Sequence, residues 1–251
     1  MILKDQVNRI FEYEASGFGY CGIKQLLAQQ PQDRVEILSI LYDLLPKDRR
    51  YLAYQRQFHN FNIQSGDKVL DMGSGHDPFE LATHLADIII DGGIDETAEF
   101  GRLHEFKHVD GKPVITCDVE NTPFEDKEFD FVYCSHMIEH VKNPEKACAE
   151  LMRIGKRGYI EAPAPFKELM LNQIVVSNHR WAVENRRGKL VFTEYSPGDI
   201  AKSFPPIVTD IIYDPQTDRE KAFTSLIWLN GDVFNTMLLW EYCFECEVRR
   251  L

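Results

Sequence analysis

The sequence predicts an α/β fold with a doubly wound, mostly parallel sheet. Two observations carry this. An apolar run ends in an acid followed at once by two glycines, and short β-branched runs then alternate with a helical stretch. The first is Lys68-Val69-Leu70-Asp71-Met72-Gly73-Ser74-Gly75. This is the pattern of a buried parallel strand running into a loop whose backbone comes close to a ligand, the glycines removing side chains from the path. A dinucleotide fingerprint needs a third glycine, and Pro78 stands in its place. A strand-terminal acid beside the glycines suits a nucleoside or sulfonium ligand better than a pyrophosphate.

The elements follow in order. Pro113-Val114-Ile115-Thr116-Cys117-Asp118 is a short strand closed by an acid, leading into Val119-Glu120-Asn121-Thr122-Pro123-Phe124. Phe129-Asp130-Phe131-Val132-Tyr133-Cys134 is an aromatic, β-branched strand. Ser135-His136-Met137-Ile138-Glu139-His140-Val141 follows it. Asn143 then caps a helix with Pro144 at its first position. Ala147, Cys148, Leu151 and Met152 give that helix an apolar face, and Gly155 stops it. Gly158-Tyr159-Ile160-Glu161-Ala162-Pro163 is the next strand.

This order resembles the class I S-adenosylmethionine-dependent methyltransferases, and among them the type 11 group that includes the ubiquinone and menaquinone methyltransferases. The resemblance runs roughly from Asp67 to Pro163. It implies a Rossmann-like, seven-stranded sheet with an antiparallel C-terminal strand, and S-adenosylmethionine as cofactor. Gly73, Ser74 and Gly75 would pass close to the amino-acid part of the cofactor. Asp71 would hold that loop and favour the cationic end. Asp87 would accept the two ribose hydroxyls. Asp118 would accept from the adenine amine, with the Val119 amide facing a ring nitrogen. Ser135 and His136 would flank the methionine part.

The segment from Pro78 to Gly101 departs from the family pattern, which puts a full helix between the glycine loop and the second strand. One reading keeps a short helix before a strand ending at Asp91. The other drops the helix and ends the strand at Asp87, as in a subgroup of these enzymes with a G-S-G-x-x-P-F loop. The second is preferred.

Residues 1–60 read as a helical cap. Asp33-Arg34-Val35-Glu36 resembles a capping box, with Val35, Leu38, Leu41 and Leu45 along one face. Tyr51, Tyr54, Phe58 and Phe61 read as core packing, with a lid over the cofactor as the sharper alternative. Residues 61–251 read as the methyltransferase domain, with an inserted hairpin at about 175–195 formed by Asn178 to Val183 and Leu190 to Phe192. Leu226 to Leu229 and Met237 to Phe244 read as the strands that finish the sheet.

The 251 residues carry a net charge of -12, which disfavours non-specific binding to nucleic acid or an anionic membrane. Arg180, Arg186, Arg187 and Lys189 cluster in sequence, and a solvated loop accounts for them. No run of 18 apolar residues spans a membrane. The N-terminus is polar from Lys4 onward and does not read as a signal peptide. Six cysteines without zinc-ribbon spacing, Cys243-Phe244-Glu245-Cys246 included, fit a reducing cytoplasm and no metal.

Methyl transfer to a hydroxyl or a protonated nitrogen needs a base, and His140 is the first candidate, followed by His136. His179 lies in the inserted hairpin, where an acceptor could be met. The expected function is methylation of oxygen or nitrogen on a small molecule or a glycan or nucleotide-sugar acceptor. The alternatives are a degenerate methyltransferase fold that binds without turnover, and an NAD-dependent oxidoreductase. The sequence leaves the oligomeric state open, a homodimer included.

Overall fold

A computed structural model of the chain describes residues 2–14, 19–47, 49–89, 105–171, 179–196, 198 and 211–251. Asp91 and Asn178 lie outside the described residues. Two compact units are present, one from Met1–Asn60 and Pro206–Phe234, the other from Phe61–Pro205 and Asn235–Leu251.

The larger unit opens with five strands, β1 (Val69–Met72), β2 (His84–Asp87), β3 (Val114–Thr116), β4 (Phe131–Ser135) and β5 (Arg157–Pro163). All their pairings are parallel. A hairpin of β6 (Trp181–Arg186) and β7 (Lys189–Glu194) follows. Arg187 and Gly188 both have positive φ, the geometry of a tight two-residue turn. The chain returns as β8 (Asn235–Glu241), antiparallel to β5, and ends as β9 (Glu245–Arg249), parallel to β7. The main sheet has the order β3-β2-β1-β4-β5-β8, and β6-β7-β9 form a second sheet. The main order reverses between β1 and β4, the place where open α/β sheets bind ligands.

The α/β class holds, with two corrections to its C-terminal part. Leu226–Leu229 is the end of a helix, Asp218–Leu229, and not a strand. Thr217 and Glu220 form a capping box that commits the segment to a helix, and that helix belongs to the first unit. Met237 to Phe244 is not one strand either. Tyr242 takes a left-handed φ of 65°, and the chain leaves the main sheet there for the second one. Six strands therefore pair in the main sheet among the described residues, where seven were expected.

The reading without a helix before β2 is the one observed. No helix lies between Gly75 and Thr83, and β2 ends at Asp87. Phe79 covers the sheet instead. It is buried and stacks on Tyr133, with ring centroids 4.1 Å apart. Phe61, Phe131 and Tyr159 complete this aromatic layer, so Phe61 is core. Strands β1 and β4 are buried along their whole length, as central parallel strands are.

The helix Pro144–Ile154 forms as its sequence dictates. The Asn143 side chain accepts from the Lys146 amide, Pro144 starts the helix, and Ala147, Cys148, Leu151 and Ile154 are buried. Gly155 ends it, and the reason for glycine is space. A Cβ there would lie 2.7 Å from Val132 Cγ2.

In the smaller unit the helices are Ile2–Glu14, Gly19–Gln29, Arg34–Leu44 and Arg50–Ala53, followed by Asp218–Leu229 and Gly231–Phe234. The Asp33 capping box does not form. Pro31–Asp33 makes a 3-10 turn, and Asp33 gives no side-chain cap. Val35 is exposed, and Ile37, Leu38 and Leu41 make the buried face. Ser39 donates to Asp218 at 2.7 Å, and Tyr42 stacks on Trp228.

Candidate functional site

The loop after β1 is held from below by β2. The amides of Gly73 and Ser74 both donate to the Ala86 carbonyl, at 2.8 and 3.1 Å. The Gly75 amide donates to Asp87 Oδ2 at 2.9 Å. Asp71 is buried and accepts the Phe79 amide at 2.8 Å, which pins the far side of the loop. Three successive amides are thus used inside the fold. A loop that cradles a phosphate presents its amides outward, and this one does not. It suits a ligand that donates, such as an ammonium.

Gly73 has φ +79° and Gly75 φ +52°, both in the left-handed region. A Cβ on Gly73 would meet Met137 Cγ at 2.5 Å. Its glycine is therefore set by backbone conformation and by Met137, and not by ligand approach alone.

Four further expected residues sit where their strands end. Asp87 closes β2 and is buried, with Oδ1 accepting the Ile89 amide at 3.2 Å. Asp118 follows β3, is exposed, and accepts the Glu120 amide at 2.9 Å, while Val119 is buried. Ser135 ends β4. The hydroxyls of Ser74 and Ser135 are both buried with no hydrogen-bond partner. Two orphaned hydroxyls beside strand-end acids are what a site for a polar nucleoside ligand requires. Burial, with the carboxylates of Asp118, Asp87 and Glu150, pushes the Cys117 thiol up to about 11.

His136 follows Ser135 at the end of β4. It takes a left-handed φ of 55°, its amide donates to the Glu161 carbonyl, and its Nε2 lies 3.0 Å from Glu161 Oε1. Its Nδ1 lies 3.7 Å from Glu139 Oε1. The histidine is thus directed to a cluster of acids and imidazoles. His140 lies in the same cluster, its ring edge-on to His179 at 4.5 Å. His179 is buried and reaches Glu168 through Nδ1 at 2.7 Å. The Arg180 amide donates to the Glu139 carbonyl at 2.9 Å, which fixes the entry to β6 against the turn Ile138–His140.

Glu139 is the centre of this group and is wholly buried. Burial pushes its carboxyl up, but the imidazoles of His136, His179 and His140 outweigh burial and hold it at about 2. Burial pulls the His179 imidazole down, and Glu168 and Glu139 outweigh that and hold it above its ordinary value. The sequence pointed to His136, His140 and His179 one by one. It missed Glu139, Glu161 and Glu168. The spacing His136-x-x-Glu139-His140 was the available signal.

Residues 70–160 match the family model described as "Methyltransferase domain". That stretch is similar to class I S-adenosylmethionine-dependent methyltransferase domains. Its curated relatives include a ubiquinone/menaquinone biosynthesis C-methyltransferase of Xylella fastidiosa, 26% identical over 167 residues, covering 58% of this chain and 63% of that protein. A sterol 24-C-methyltransferase of Schizosaccharomyces pombe is 28% identical over 119 residues, covering 45% and 30%. An uncharacterized protein of Methanocaldococcus jannaschii is 36% identical over 66 residues, covering 26% and 31%. The chain thus spans less than two thirds of the length of each of these relatives. Among the described residues no helix is long and apolar enough to cross a membrane.

Proposed function

We propose that the protein transfers a methyl group from S-adenosylmethionine to a small-molecule acceptor. The inward-turned amides of Gly73, Ser74 and Gly75 carry the reading, because these three donors are used inside the fold and are not offered to a pyrophosphate. In this reading Asp71 and the loop carbonyls serve the ammonium end. Asp87 accepts the ribose hydroxyls, Asp118 and the Val119 amide serve the adenine, and Ser135 lies beside the methionine part. The bound cofactor supplies an activated methyl, and the chain's own work is to orient an acceptor in line and keep water out.

The acceptor is read as polar, its methylated atom an oxygen or nitrogen, with carbohydrate-type molecules in the class. The histidines and carboxylates beside Ser135 support this, because such groups hold hydroxyls and amines. Two of the three named relatives are C-methyltransferases, so carbon methylation is the second reading.

Titration with S-adenosylmethionine, S-adenosylhomocysteine and NAD tests the first step. Binding of the first two and not the third is expected, and NAD binding alone would overturn the reading. Methyl transfer from labelled cofactor to hydroxyl, amine and quinone acceptors then tests turnover. Cofactor binding with no turnover on any acceptor would favour a binding protein.

A further inference from the structure

We infer that Glu139, His140 and His179 bind a divalent transition-metal ion, with His136 available as a fourth donor. The three residues each offer one ligand atom, and these atoms lie within 4.8 Å of one another. Glu139 is fully buried, and neither carboxylate oxygen has a hydrogen-bond partner. Glu139 Oε1 stands 3.7 and 3.9 Å from the imidazole nitrogens of His136 and His179, too far for hydrogen bonds, and a cation between them would satisfy the buried carboxylate.

The distances separate an ion site from a simple ion pair. His179 Nδ1 is in direct contact with Glu168, at 2.7 Å. Its other nitrogen, Nε2, stops 3.9 Å from Glu139 Oε1. His136 repeats the arrangement, with Nε2 on Glu161 at 3.0 Å and Nδ1 3.7 Å from Glu139. A charge-assisted hydrogen bond would close to about 2.8 Å. Two ligands at about 2.1 Å from a shared ion stand up to about 4.2 Å apart, and the gaps from Glu139 to His179 and His136, 3.9 and 3.7 Å, lie within that span. A carboxylate on the far nitrogen of each imidazole is how proteins orient metal-binding histidines. Glu168 and Glu161 are in that position, and neither would touch the ion.

One carboxylate with two or three imidazoles suits zinc, manganese, iron(II) or cobalt, and not calcium or magnesium, which prefer oxygen. The cluster follows the C-terminal end of β4, next to Ser135. If the reading proposed above holds, the ion would polarise an acceptor hydroxyl. The methyl carbon would pass from sulfur to that oxygen, the C–S bond breaking as the C–O bond forms. The hydroxyl proton would go to solvent, and S-adenosylhomocysteine would leave. Only this role rests on the methyltransferase reading; the ion site does not.

Calorimetric titration of the chelator-stripped full chain with zinc and manganese tests the site. One ion per chain is expected. Glu139→Gln and His179→Ala should each weaken binding by at least about 100-fold. Glu168→Gln should weaken it by about 10- to 100-fold through the orientation of His179, while the folded chain still takes up one ion. Cobalt added to the unaltered chain needs no variant, and visible bands of a nitrogen-ligated ion are expected. No uptake of zinc, manganese or cobalt at millimolar ion overturns the inference, as does equal affinity in wild type and both ligand variants. S-adenosylhomocysteine binding measured on the same samples keeps the two ideas apart. Cofactor without ion sinks the metal site, and ion without cofactor sinks the methyltransferase reading.

Discussion

The Asp87 carboxylate accepts the Gly75 amide at 2.9 Å, so the acid that ends β2 also clamps the glycine loop that ends β1. In a fold with a helix after the loop, the helix would organise those amides. Here the helix is absent, and the carboxylate and the Ala86 carbonyl do that work. In the proposed reading, cofactor recognition and loop geometry would be carried by one side chain, Asp87.

Asp87→Ala is expected to weaken S-adenosylhomocysteine binding by about 1.5–3 kcal/mol, roughly 10- to 150-fold, the range for hydrogen bonds to a charged group. Because the loop loosens as well, the apo protein should also melt lower. Calorimetry and thermal melts check both. An unchanged affinity with a lower melting temperature would mean that Asp87 serves the loop and not the ligand.

Gly73→Ala should destabilise the protein by roughly 2–4 kcal/mol, combining a left-handed alanine with a clash against Met137. A Cβ on Gly75 would meet only the Gly73 carbonyl oxygen, at 3.9 Å, so Gly75→Ala should carry only the backbone part, about 1 kcal/mol. Placing Gly73→Ala in a Met137→Ala background isolates the clash, and a coupling of about 1 kcal/mol is expected in the double-mutant cycle. Additive effects would show that Met137 moves freely out of the way.

Strands β1, β4 and β5, the helix Pro144–Ile154 and the β6–β7 hairpin were legible in the sequence. In each the local signals agreed: burial pattern, cap and turn residues pointed the same way. The strand ending at Asp87 was legible only through the resemblance, since four residues carry too little periodicity. The helix Asp218–Leu229 was misread because Leu226-Ile227-Trp228-Leu229 is apolar enough for a strand, and the Thr217 and Glu220 cap that decides it lies nine residues upstream of Leu226. The acid and histidine cluster was half legible. His136, Glu139 and His140 share one turn, but His179 and Glu168 arrive from other elements, and no local pattern ties them together.

Glu150 gives a pH-dependent test away from the site. It accepts the Thr122 amide and hydroxyl at 2.9 and 2.7 Å and pairs with Arg153 at 2.7 Å. Arg153 foremost, against a burial effect that raises it, holds the Glu150 carboxyl down at about 2 from an ordinary 4.5. A folded value below the unfolded one means that the stabilisation is present above about pH 4.5 and is lost as pH falls towards 2. Glu150→Gln should lower the melting temperature at pH 6 to 7 and make the loss between pH 5 and 2 shallower. Parallel wild-type and variant curves across that window would show that the interaction does not drive acid unfolding.

His140 is the residue on which the two mechanistic readings divide. As a base it would take the acceptor's proton, and His140→Ala would lower kcat by about 10²- to 10⁴-fold with the bound ion untouched. As a ligand beside Glu139 and His179 it holds the ion, and the same change should lower kcat and metal content together. The ligand reading is expected, because His140 offers its nitrogen to the same point as a fully buried carboxylate. Metal analysis of the purified variant beside its turnover number decides between them. Full metal occupancy with a large loss of rate would return His140 to the role of base. Loss of S-adenosylhomocysteine binding as well would show that the turn Ile138–His140 supports the neighbouring Ser135 rather than the acceptor.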